Sequence, residues 1–114
     1  MYQATLKTKK SRVVVIARNP DRAVDAASKL ARQFGVKSKR FSLSRVKEND
    51  VPCLPAKPAK LQFRAVCGEK DVQFSVLFIV RGKRGDWDMV DWIEHFSALL
   101  PAGDWELHGL EVAR

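Results

Sequence analysis

Two histidines and two cysteines are the residues of this chain best suited to chemistry. They are His95, His108, Cys53 and Cys67. No two of them stand at the close-pair spacing of a zinc site, C-x2-4-C or H-x3-5-H. Neither a metal nor a cofactor is therefore expected. His95 lies four residues after Asp91, in a run that also holds Asp86, Asp88 and Glu94. Acids at a helix start are explained by the helix dipole, and His95 by an i,i+4 pair with Asp91. Nucleophilic catalysis needs a Ser or Cys with a base, and no such arrangement is visible. Gly82-Lys83-Arg84-Gly85 lacks the length and the closing Lys-Ser/Thr of a phosphate loop. The expectation is a protein that is not an enzyme.

Cations carry the stronger signal. Residues 1–60 contain fifteen Lys and Arg against four Asp and Glu, a net of +11, while residues 61–114 carry a net of −3. The basic residues come in groups: Lys7, Lys9, Lys10 and Arg12; Lys37, Lys39 and Arg40; Lys57 and Lys60; Arg81, Lys83 and Arg84. Any one group reads as solvated strand-end cations. Four groups on a chain of net charge +8 read as a surface for something anionic. Phosphates are the first candidate, because they supply most non-specific nucleic-acid affinity. The groups are not interleaved with aromatics, and no helix-turn-helix, zinc-finger or RNP-like pattern appears. The alternative partner is an acidic protein, bound through a helix over residues 86–100 and an open sheet edge. Trp87 would anchor it, with Asp88, Asp91 and His95 beside it.

The background composition suits a soluble globular domain, with 46% hydrophobic and 30% charged residues. Two cysteines are too few for a disulfide framework, so a reducing, cytoplasmic setting is expected. Met1–Thr8 has no apolar leader region, and no segment is long and apolar enough to suggest a membrane.

The elements that must position these residues follow from periodicity. Val72–Val80 is the apolar maximum and reads as an inner strand buried on both faces. Tyr2–Lys7 and Arg12–Arg18 read as a hairpin with a basic tip. Asn19-Pro20-Asp21 starts a helix whose stripe holds Ala23, Ala27, Leu30 and Phe34, and Gly35 stops it. Lys37–Lys47 reads as a strand, and Glu48–Lys60, with three prolines, as a stiff linker. A second hairpin follows, turning at Gly68–Asp71. Asp86 caps the second helix, with Met89, Ile93, Phe96 and Leu100 on its stripe. Trp105–Val112 is a last strand, with a parity shift at Gly109 that predicts a bulge.

Residues 2–47 and 61–112 thus share one order, ββαβ. The predicted fold class is α+β: a single domain, residues 1–114, of tandem ββαβ units. They form one mixed, largely antiparallel sheet of about six strands with both helices on one face. A homodimer intertwining the same pieces is the rival arrangement. The predicted core is Val13, Val15, Leu30, Phe34, Phe74, Val76, Phe78, Ile93 and Phe96.

Overall fold

A computed structural model describes residues 1–36, 40–82 and 87–113, the last four by their backbone alone. It contains one six-stranded mixed sheet and two helices, an α+β fold. The strands are β1 (Tyr2–Lys7), β2 (Ser11–Ala17), β3 (Ser42–Arg45), β4 (Ala59–Cys67), β5 (Lys70–Phe78) and β6 (Glu106–Ala113). The helices are α1 (Pro20–Gln33) and α2 (Met89–Phe96), the second continued by a 3-10 turn at Ser97–Leu99.

The strand order is β3-β1-β2-β5-β4-β6. Each unit contributes three neighbouring strands, and the order is mirrored about a β2–β5 seam. That seam is parallel, from Ser11 opposite Gln73 to Ile16 opposite Phe78, and every other pairing is antiparallel.

The parallel seam corrects one expectation: the helices do not share a face. The α1 residues Ala23, Ala27, Leu30 and Ala31 pack with Ala4, Leu6, Val13, Val15 and Ala17. Trp92, Ile93 and Phe96 of α2 pack with Val14 and Ile16, the alternate residues of the same strand β2. Alternate residues of a strand point to opposite faces, so α1 and α2 cover opposite sides. The cause is handedness. The connection β2-α1-β3 steps one way along the sheet across β1, and β5-α2-β6 steps the other way across β4. Two crossovers of the same hand that step in opposite directions must pass over opposite faces.

Local sequence explains the element ends. Asn19 Oδ1 accepts from the N–H of Asp21 at 2.8 Å and of Arg22 at 3.4 Å, with Pro20 at the first helical position. Asp25 and Lys29 form the expected i,i+4 pair at 3.2 Å. Three of the four buried α1 residues are alanines, which lets the helix lie close on β1 and β2. Asp88 caps α2 through the Val90 N–H at 2.9 Å, and the helix starts at Met89. The expected cap, Asp86, lies outside the described residues. In β6, Gly109 has φ 63° and the register with β4 shifts between Gln62 and Arg64. This is the predicted bulge, placed where glycine adopts a left-handed backbone without a Cβ clash.

The core is asymmetric across β5. Phe74, Val76 and Phe78 are buried under α2, and Phe74 stacks on Phe63 directly across the β4–β5 ladder at 4.4 Å. On the other face Ser75 is buried, whereas Leu77 and Ile79 are only half-buried, because α1 lies over β1 and β2. The predicted core residues are buried with one exception. Phe34 is 41% exposed, and Lys60 Nζ lies 5.5 Å from its ring centroid. The proline segment is not merely a spacer. Leu54 is buried in the α2 core, Trp92 Nε1 donates to the Cys53 carbonyl at 2.7 Å, and the Gly82 N–H donates to the Pro55 carbonyl at 2.8 Å. A Cβ on Gly82 would stand 2.6 Å from the Leu54 carbonyl oxygen, so only glycine fits there.

Candidate functional site

The seam decides where the cations go. Because β2 and β5 run parallel, the β1–β2 turn and the β4–β5 turn lie side by side at one end of the sheet. The second hairpin is the longer. The last seam pair is Ser11 with Gln73, so Lys70–Val72 overhang the first turn, and the Gln73 N–H donates to the Lys10 carbonyl at 2.9 Å. The step between the two tips forms a cavity of about 780 Å³. Exposed Lys9, Lys10 and Lys70 line it, together with Trp105 and Pro101 from the segment after α2.

Two acids also line this cavity. Asp71 is neutralised by a two-pronged pair with Arg64, at 3.2 Å from Nε and 2.7 Å from a terminal guanidinium nitrogen. Glu69 has no ion pair among the described residues. Three lysines therefore face one uncompensated carboxylate.

Arg12 is at this end but is not a surface cation. It is 7% exposed, and its guanidinium donates to the backbone carbonyls of Leu99 at 3.1 Å, Ser11 at 3.0 Å and Thr8. Burial lowers its pKa, yet arginine stays charged at any ordinary pH. Its role is to tie the first hairpin turn to the 3-10 turn after α2, holding Lys9 and Lys10 opposite Pro101 and Trp105.

The other predicted cations divide between the two ends. Lys7 is exposed at the end of β1, beside the first turn. α1 runs back from the far end, so exposed Arg40, which follows it and precedes β3, also lies at the hairpin end. Lys37 and Lys39 lie outside the described residues, as do Lys83 and Arg84. Arg81 is at the opposite end, in a smaller cavity of about 300 Å³ shared with Arg18 and Arg22. Arg18 there is paired with Glu48. Among the described residues the basic groups thus stand at both ends of the sheet and do not form one continuous groove.

Of the residues proposed for a protein partner, Trp87 and His95 pack within the fold, while Asp88 and Asp91 are exposed. Trp87 is half-buried, packs against the α2 core and meets Phe78 edge-on at 6.3 Å. Asp88 is the helix cap, and Asp91 is exposed in the first turn. His95 is half-buried between Trp92 and Phe96, with ring centroids at 5.3 and 5.5 Å, and burial lowers its pKa. It lies 3.5 Å from Gln3 Oε1 and makes no pair with Asp91 among the described residues. His108 Nε2 is 3.5 Å from Glu106 Oε2 on β6.

Lys70 and Trp105 escaped the sequence reading. Both lack a basic or aromatic neighbour in the chain; the overhanging hairpin brings Lys70, and the segment after α2 brings Trp105, to Lys9 and Lys10. Among the described residues no group of three or more His, Cys, Asp and Glu could hold a metal ion, and no helix is long and apolar enough to cross a membrane. Comparison with family models, with curated proteins and with solved structures finds no match for this chain.

Proposed function

We propose that this is a small, non-enzymatic nucleic-acid-binding protein that grips phosphates at the end of the sheet shared by its two hairpins. The observation that carries the reading is the gathering of Lys9, Lys10 and Lys70 around one cavity. These lysines come from two hairpins about sixty residues apart in the chain, and Lys7 and Arg40 stand at the same end. Clustered lysines on exposed turns suit phosphate contacts, which need charge and reach more than a rigid geometry. Such contacts are sequence-independent and release counterions, so affinity falls with salt.

The test is the salt dependence of binding, followed by fluorescence anisotropy. Replacing Lys9 and Lys10 by Gln should weaken binding to all sequences alike. It should also flatten the slope of log K against log salt by about 1.8 on duplex DNA, or about 1.4 on a single strand. An unchanged slope would exclude these lysines from the interface.

A second reading, a protein partner, is favoured by the outer edge of β6. Among the described residues this eight-residue strand pairs only with β4, and its Leu107 is 48% exposed. An unpaired edge of that length is a template for an added strand. A pull-down from the native host with and without nuclease separates the two. One captured protein that survives nuclease would favour the edge; material lost on nuclease treatment favours the lysines.

A further inference from the structure

We infer that the hairpin-end cavity takes single-stranded rather than duplex nucleic acid, with a base laid on the ring of Trp105. The inference rests on the phosphate-binding reading of the same cavity and adds what fills it. Trp105 is half-buried: it packs against the α2 core and also lines the cavity. Its Nε1 donates to the Pro101 carbonyl at 2.8 Å, which fixes the ring and leaves its polar atom satisfied without a ligand. The orienting loop is equally constrained. Gly103 has φ 155°, and a Cβ there would lie 3.2 Å from Cys67 Sγ and 3.4 Å from Trp105 Nε1.

A ring held in this way at the wall of a cavity with three lysines on its rim combines the two components of a single-strand site. Cations track the backbone, and an aromatic face accepts any base. A duplex cannot use the second component, because its base faces are already stacked on one another. The site is also concave, about 780 Å³, within the size range of cavities that enclose small ligands. Arg12 acts as a positioning residue, since its bonds to Thr8 and Leu99 set the distance between the lysine turn and the Pro101–Trp105 wall.

The test leaves the protein unaltered. Anisotropy at fixed moderate salt compares three labelled probes: an oligothymidine, an abasic strand of equal length, and a random duplex. The oligothymidine should bind at least ~5-fold more tightly than the abasic strand, the low end of what one stacked base supplies. Trp105→Leu should erase that preference and Trp105→Phe should retain part of it, with circular dichroism confirming that each variant is folded. Should Trp105→Leu fail to fold, the abasic comparison on the wild-type chain decides. Equal affinity for the thymidine and abasic strands, or tighter binding of the duplex, would overturn the stacking inference and leave the phosphate reading standing. No binding to any of the three would overturn the phosphate reading itself.

Discussion

Lys9 and Arg12 stand three residues apart and take different roles: Lys9 is exposed at the cavity, and Arg12 is buried among backbone carbonyls. Asn19, Pro20 and the Asp25–Lys29 pair behave as their types predict, because capping and i,i+4 contacts involve only near neighbours. Arg12 does not, although it sits in the same Lys-rich run as Lys9 and Lys10. Its position on β2 points it under the 3-10 turn, where three carbonyls replace water. No property of the run itself signals that. His95 gives a signed prediction. Its pKa is lowered by burial, so the folded chain resists a proton that the unfolded chain accepts near pH 6.5. Its contribution is therefore fully present above pH 6.5 and is lost as the pH falls from there through the folded value. Melting temperatures between pH 7.5 and 5.5 should drop for the wild type and drop less for His95→Gln. Parallel curves would mean that His95 is solvated alike in both states.

At the scale of elements, the hairpins, the α1 start and the bulge were legible, because each has a signature within a few residues. Element length was less so. The cap of α2 is Asp88, two residues after the expected Asp86. The proline segment was legible as irregular but not as core, since Leu54 has no periodic partners to mark it. The β5 strand is inner, as its apolar run implies, but its two faces are unequal. Phe78 lies on the fully buried face, with Trp92 at 5.0 Å and Phe96 at 6.4 Å. Phe78→Ala should cost ~3–5 kcal/mol in a urea melt. A loss below about 1 kcal/mol would mean that the aromatic cluster collapses into the vacated space.

For the whole molecule, the repeat of pattern was legible and its geometry was not. Two ββαβ units can join through an antiparallel or a parallel seam, and only the seam decides whether the helices share a face. The strands β2 and β5 are apolar enough for either pairing, so periodicity cannot choose. The same seam places both hairpin turns together and with them the candidate site, which explains why Trp105 and Lys70 were missed. It also makes the units interdependent: the α2 core includes Val14 and Ile16 of the first unit and Leu54 of the connecting segment. Fragments 1–49 and 58–114 should each fail to fold alone, giving poorly dispersed NMR spectra. A well-dispersed spectrum from either fragment would contradict one shared core.

Net charge is a property of the whole molecule as well, and +8 could attract polyanions with no site at all. A hairpin-end site makes affinity depend on where the cations stand. Two triple variants with the same change in charge separate the alternatives. One replaces Lys9, Lys10 and Lys70 by Gln at the hairpin end. The other replaces Arg22, Arg45 and Lys47 by Gln, all exposed at the opposite end. Binding of a random single strand is measured for both by anisotropy at one low salt concentration. The hairpin-end variant should lose at least ~10-fold in affinity, and the opposite-end variant no more than about 3-fold. Equal losses would show that net charge alone attracts the strand, and the hairpin end would cease to be a site.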